Sequence, residues 1–193
     1  EIALSINVFL AALPSHDNRM IMTHKISACE AKRSPLARIQ WTHTQDLHIT
    51  LGYIPKVEQA DVRSISLALS AIAQQSPIMA NVAQVRGFGN AIALIIEPHQ
   101  QLLSIHKKLN QKLIEATNNK YHFDTKNRFS PHISIGRVQN LAALNQTHKN
   151  QLLDLIQTQF NGYSFLIQQA ALMRRLPEKA TPHYQSIQLY TMR

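Results

Sequence analysis

The sequence holds one cysteine, Cys29, so no disulfide can form within the chain. A reducing, cytoplasmic setting is the simpler expectation, and Cys29 reads as a small buried apolar residue on a helix. Glycine is scarce too, at five residues, and no low-complexity stretch interrupts the chain, which excludes flexible linkers between separable domains. No uncharged apolar run approaches the ~20 residues that cross a bilayer, so no membrane span is expected. The opening INVFLAALP is apolar, yet no basic segment stands before it, and a secretory leader is not expected either. Acidic residues number eleven against twenty Lys and Arg, a formal net charge of +9. That excess favours a polyanionic partner and is silent on fold. Hydrophobic residues are plentiful, at 45% of the chain, enough to fill the interior of one domain spanning residues 1–193.

Apolar spacing outlines the elements. IALSINVFLAAL alternates apolar and small residues as a strand does, and Pro14 closes it. Ser15 is placed to cap a helix carrying Met22, Ile26 and Cys29 on one side. ARIQWTH and DLHITLGYI read as strands, the second ended by Pro55. Residues 58–75 set Val62, Ile65, Leu69 and Ile72 on one helical stripe. IMANVAQV and AIALIIE read as strands split by the turn RGFGN, and a long helix after Pro98 carries Leu102, Ile105, Leu109 and Leu113. PHISIGRV is a further strand. Leu152, Leu155 and Ile156 mark another helix, before SFLIQQAALM and HYQSIQLYTM close the chain as strands. Short strands interleaved with about four helices predict an α+β fold with mainly antiparallel sheets.

Residues 47–54, LHITLGYI, and 131–138, PHISIGRV, are one phrase written twice. Each runs histidine, isoleucine, a hydroxyl residue and an aliphatic, with glycine four places after the histidine. One copy in each half predicts two pseudo-symmetric lobes, each a mainly antiparallel sheet with helices outside, facing each other across a central cleft. Side chains alternate along a strand. His48 and Thr50 therefore share one face and Ile49 and Leu51 the other, and His132 and Ser134 oppose Ile133 and Ile135 in the same way. A duplication whose polar face bonds only within itself is the structural alternative.

Two imidazoles and two hydroxyls around one small anion suit phosphate ester chemistry. Histidine gives and takes protons near neutrality. One neutral ring can deprotonate an attacking oxygen while a protonated ring donates to the leaving oxygen. Thr50 and Ser134 can donate hydrogen bonds to the non-bridging phosphoryl oxygens, and no metal is needed. The residues alone leave open which histidine is acid and which is base.

HITL and HISI resemble the paired motifs of the two-histidine phosphoesterase superfamily, and more closely those of its LigT branch, the RNA 2′,3′-cyclic phosphodiesterases also called 2′-5′ RNA ligases. INVFLAALP resembles that branch's opening strand with Phe9 in its aromatic position. IQWTHTQDLHITLGYI resembles the segment around its first motif, and FSPHISIGRV the second motif with Arg137 after it. LPEKATPHYQSIQLY resembles its last hairpin, where Tyr184 follows a proline. The resemblance implies a LigT-like fold without cofactor, His48 as proton donor and His132 as proton acceptor. It implies hydrolysis of a terminal 2′,3′-cyclic phosphate to a 2′-phosphomonoester, with reverse 2′-5′ ligation when an RNA 5′-hydroxyl replaces water. The partners implied are RNA ends or oligonucleotides bearing that cyclic phosphate. Relatives use the same motifs on 2′-5′ oligonucleotides or small cyclic nucleotides, or bind nucleotides without turnover, and these are the alternatives.

Arg137 lies five residues after His132, so an unbroken strand turns it to the opposite face. A bulge at Gly136 can re-aim it, and the guanidinium can then clamp phosphate bidentately. Phe9 and Tyr184 are the favoured base-stacking residues, ahead of Tyr53 and Phe129. Lys126 and Arg128 sit where they can steer RNA phosphates, whereas Lys107, Lys108 and Lys112 form a solvated helix face. His43 reads as a supporting or surface residue. The other histidines show no zinc-like spacing, so no metal site is expected. Nothing in the sequence calls for a second copy, and a monomer is expected.

Overall fold

The computed structural model describes residues 4–32, 38–139, 141–177 and 179–193. Residues 2 and 3 of the first expected strand, residue 37 of ARIQWTH and residue 178 of the final hairpin lie outside them. Among the described residues, the strands are β1 (Ser5–Pro14), β2 (Ile39–Trp41), β3 (Ile49–Glu58), β4 (Ile78–Phe88), β5 (Ala91–Glu97), β6 (His132–Val138), β7 (Ser164–Arg175) and β8 (Tyr184–Thr191). The helices are α1 (His16–Lys32), α2 (Val62–Leu69), α3 (His99–Ala116) and α4 (Gln146–Phe160). The fold is α+β, as the spacing predicts.

Every strand pairing is antiparallel, in the order β2-β6-β5-β4-β7-β1-β3 with β8 on β7. The group β2-β6-β5-β4 carries the second copy of the repeated phrase, and β8-β7-β1-β3 carries the first. A short pairing of Ile78–Asn81 with Ile167–Ser164 makes the two groups hydrogen-bond neighbours. The strip also curls: β3, at one end of the path, and β6, near the other, bring Cα atoms within 8 Å of each other. The strand that follows His48 and the strand that opens with His132 thus meet across space.

Helices cover the outside. α1 packs on α4 and α2 on α3, and α3 also contacts β3. Leu102, Ile105, Leu109 and Leu113 are all buried along α3, as their spacing requires. In α1, Met22, Ile26 and Cys29 are buried, and the Ser15 hydroxyl accepts the Asn18 N–H at 3.1 Å as an N-cap. The helix expected over 58–75 is segmented: one turn over Gln59–Asp61, then α2, then a tight turn over Ser70–Gln74. The Ser70 hydroxyl donates to the Leu67 carbonyl at 2.5 Å where the coil tightens, while Ile65, Leu69 and Ile72 keep their buried stripe.

One strand runs further than its sequence suggests. β3 passes through Pro55 to Glu58 because it is an edge strand, where a missing N–H interrupts no ladder. The register against β1 slips there: Val8 faces Ile54 and Ile6 faces Val57. Lys56 takes φ 53° in this bulge, and its N–H donates to Asn7 Oδ1 at 3.0 Å.

The shared glycine of the two phrases is explained by packing. A Cβ on Gly52 would overlap Cγ and Cδ2 of the Phe123 ring. A Cβ on Gly136 would lie 2.9 Å from Trp41 Cε3 and 3.0 Å from Ile39 Cγ2. Each strand is crossed by an aromatic ring just beyond its hydroxyl residue.

Candidate active site

The alternation expected of the phrases holds. Ile49, Leu51, Ile133 and Ile135 are buried in the core, and His48, Thr50, His132 and Ser134 turn the other way, half-buried. A tight turn over Thr44–Asp46 leads into β3, with His43 Nδ1 accepting the Gln45 N–H at 3.2 Å, so His43 is a turn cap. Leu47 then plugs the core, which leaves His48 at the mouth of the strand.

Both imidazoles are anchored alike. His48 Nδ1 lies 2.6 Å from the Asp46 carbonyl, and His132 Nδ1 lies 2.7 Å from the Ser130 carbonyl, each two residues upstream. A carbonyl only accepts, so each Nδ1 carries the proton and donates it. Each Nε2 is left for chemistry: a lone pair when the ring is neutral, a donor when it is charged. His48 Nε2 stands 3.1 Å from Thr50 Oγ1.

Burial pushes the His48 pKa below its ordinary value. The Asp46 carbonyl and carboxylate pull it back up in part, while positive charge on His132 lowers it further. The two rings therefore sense one another electrostatically.

Aromatic rings seat each imidazole. His48, Phe9 and Tyr184 form a triangle with all three centroid distances 5.1 Å. Phe9 is only 7% exposed, and Tyr184 is half-buried. On the other side, His132 stacks on Phe88 at 4.8 Å and 15°, and Arg86 Cζ lies 4.8 Å from the centre of the same ring.

Arg137 reaches the site by a bulge. Ala93 pairs with Ser134 but its neighbour Ile92 pairs with Gly136, so β6 carries one extra residue at Ile135. Arg137 then lines the same cavity as His48, Ser134 and Tyr184.

Three hollows border the motifs. One, of about 370 Å³, is bordered by His48, Ser134, Arg137 and Arg175. A second, of about 290 Å³, is bordered by Phe9, His48, Thr50, Tyr53 and Tyr184. The largest, about 770 Å³, is bordered by Thr50, Arg86, Phe88, Arg128, Phe129 and His132. Phe129 stacks on His106 at 4.5 Å. Among the described residues, no three His, Cys, Asp or Glu side chains gather as metal ligands.

Sequence reasoning missed Asp46. It is the one buried charged residue among those described, at 3% exposure. Its Oδ2 accepts the His183 N–H at 2.9 Å and its Oδ1 the Tyr184 N–H at 3.3 Å. One residue thus ties the His48 anchor to the start of β8, where Tyr184 stands. Reading each phrase back two places, from His48 to Asp46 and from His132 to Ser130, reveals the shared offset, but a main-chain acceptor leaves no mark on residue type. Arg86, Phe88 and Arg175 were missed because they come from β4 and β7, far along the chain from either phrase.

With this geometry in place, the model of the 2′-5′ RNA ligase superfamily matches residues 25–179. The chain belongs to that superfamily. Its members, the two-histidine phosphoesterases and ligases, act on phosphodiester bonds. No curated protein sequence matches the chain. Its fold is similar to that of E. coli LigT complexed with 3′-AMP, with a TM-score of 0.69 and 15% identity over 98% of this chain and 99% of that one. TT0787 of Thermus thermophilus is similar at TM-score 0.66 and 14% identity, over 97% and 98% of the two chains. The MHV ns2 PDE domain is more distant, at TM-score 0.50 and 10% identity over 97% of each. At such identities the likeness to these solved structures is one of fold. No helix among the described residues is long and apolar enough to cross a membrane.

Proposed function

We propose that the protein is an RNA 2′,3′-cyclic phosphodiesterase that opens a terminal cyclic phosphate to a 2′-phosphomonoester by two-histidine acid–base catalysis. The observation that supports this most is the matched anchoring of His48 and His132 through Nδ1, which leaves two Nε2 atoms for one phosphate. His132 Nε2 takes a proton from water as the water oxygen attacks phosphorus. The bond from phosphorus to the 3′ oxygen breaks, and His48 Nε2 gives its proton to that oxygen. Thr50 and Ser134 donate to the non-bridging oxygens, where charge concentrates in the transition state, and Arg137 clamps the same group. Proton exchange with water resets both rings. With an RNA 5′-hydroxyl in place of water, the same motions join two strands by a 2′-5′ bond without ATP.

The depressed His48 pKa fits an acid that charges only when its substrate arrives. A phosphate anion beside the ring favours the imidazolium and counters the cost of burial. Phe9 and Tyr184 hold the ring in this reading, and the outer face of Tyr184 supports the terminal base. We read residues 1–193 as one domain of two lobes. Both histidines come from a single chain, so a monomer is sufficient. The buried thiol of Cys29 suits a cytoplasmic setting.

Incubation with a 2′,3′-cyclic mononucleotide in EDTA tests the reading, with the product followed by phosphorus NMR. The expected product is the 2′-monophosphate. Tight binding with no turnover would mean a nucleotide-binding module, and a 3′-monophosphate would reverse the assigned scission.

A further inference from the structure

We infer that His106, on α3, is a positioning residue for the two-histidine site: its imidazole fixes the bulge in β3 that aims Thr50 and braces the segment that anchors His132. This rests on the phosphodiester chemistry proposed above and adds to it a third histidine, one that need never touch the substrate.

The two phrases bulge at the same place. In β6 the extra residue is Ile135. In β3, Thr50 pairs with Ala11 and Gly52 with Leu10, which leaves Leu51 extra. A bulge frees main-chain groups from the ladder and re-aims the side chains beside it. Each phrase secures the carbonyl of its extra residue from outside. The Ile135 carbonyl accepts the N–H of Thr42, the residue after β2, at 2.9 Å. β3 ends the sheet order, so no strand flanks it on that side among the described residues. His106 fills the place of that strand: its Nδ1 lies 2.5 Å from the Leu51 carbonyl. A carbonyl only accepts, so Nδ1 carries the proton and donates it. Leu51 is 2% exposed, which leaves water a poor substitute for the imidazole. The Asp124 N–H closes the next carbonyl along this edge, that of Tyr53, at 2.7 Å.

The same ring reaches the second phrase. His106 stacks on Phe123 at a centroid distance of 5.3 Å and on Phe129 at 4.5 Å. Phe123 is the ring that crosses β3 at Gly52. Phe129 stands directly before Ser130, whose carbonyl holds His132 Nδ1. Thr50 and the His132 anchor thus each sit one residue from a His106 contact, the first a hydrogen bond and the second a ring face. A misplacement of about 1 Å at such a distance from the chemistry can cost about a hundredfold in rate.

Two substitutions divide the work of the ring. His106→Phe keeps an aromatic ring for the stack and removes the donor. His106→Asn keeps a donor where Nδ1 stood and removes the ring. With a 2′,3′-cyclic mononucleotide, H106F should lower kcat about ten- to a hundredfold and leave KM within about threefold, because Thr50 acts on charge that develops in the transition state. H106N should recover most of that loss. In a Thr50→Ala background H106F should lower kcat by less than about threefold, since the hydroxyl it positions is gone. Leu113→Ala, two turns along α3 and buried, supplies the structural comparison: the urea midpoint should fall and kcat should stay unchanged.

Wild-type kcat in H106F, or an equal loss in both backgrounds, would overturn the positioning role. NMR reads the same inference without turnover. The Thr50 amide signal and the His132 ring signals should move in H106F, and the Thr50 signal should return toward its wild-type position in H106N. Signals that stay in place in H106F would overturn the inference whatever the catalysis. A wild type inert toward the cyclic nucleotide would count against the phosphodiesterase reading alone.

Discussion

His48 is held by its neighbours more than by its own strand. The Asp46 carbonyl fixes Nδ1, and Phe9 and Tyr184 close around the ring. The Asp46 carboxylate orders the same region from below by accepting two main-chain N–H groups at the start of β8. Asp46→Asn presents an amide NH₂ to one of those donors and leaves it unpaired. The expected cost is about 1–3 kcal/mol in stability, read from the urea midpoint. Turnover of a cyclic nucleotide should fall about tenfold or more while KM changes little, because ring orientation is disturbed and the phosphate contacts are not. His48→Ala and His132→Ala should each lower kcat by about 10² to 10⁴ with circular dichroism unchanged. Retention of full rate in either variant would refute the two-proton scheme.

At the scale of elements, the two glycines of the repeated phrase exist for aromatic crossings. The Phe123 ring lies against β3 at Gly52 and is fully buried, so it has nowhere to move. Gly52→Ala should destabilise by about 1–3 kcal/mol, the usual cost of overpacking a core. Gly136 meets Trp41, which is half-buried on the edge strand β2 and can shift outward. Gly136→Ala should therefore cost less than Gly52→Ala. Urea denaturation of the two variants side by side checks the order, and a larger loss at Gly136 would contradict it. The strand that ignores Pro55 teaches a related lesson. Proline stops a central strand, and whether a strand is central is a property of the sheet.

For the whole molecule, pH is the informative variable. His48 binds its proton less readily folded than unfolded, because the fold buries it beside His132. Its contribution to stability is thus present above the unfolded pKa, about 6.5, and is lost as pH falls through that value toward the folded one. The urea midpoint should fall between about pH 7.5 and 5, and His48→Gln should flatten that fall. The rate profile should be a bell, since His48 must hold its proton while His132 lacks one, and bound phosphate, by stabilising the His48 imidazolium, should move the limb that belongs to His48 to higher pH in kcat than in kcat/KM. A flat profile would count against paired histidines. The formal charge of +9 adds that kcat/KM for oligonucleotide ends should fall as salt is raised.

Periodicity alone determined much of this protein. Alternation in LHITLGYI and PHISIGRV set which side chains enter the core and which face the cleft, because that choice is made by strand geometry one residue at a time. The buried stripes of α1 and α3 were legible for the same reason. Only the tertiary structure decided how the halves meet. The β4–β7 pairing and the curl that brings β3 to β6 depend on contacts between residues remote in sequence. So do the anchors of both imidazoles, which are main-chain oxygens that any residue could supply, and the arginines and rings of the large cavity, which arrive from separate strands and loops. A pattern along the chain records which way a side chain turns, and distance through space arises only when the strands have closed.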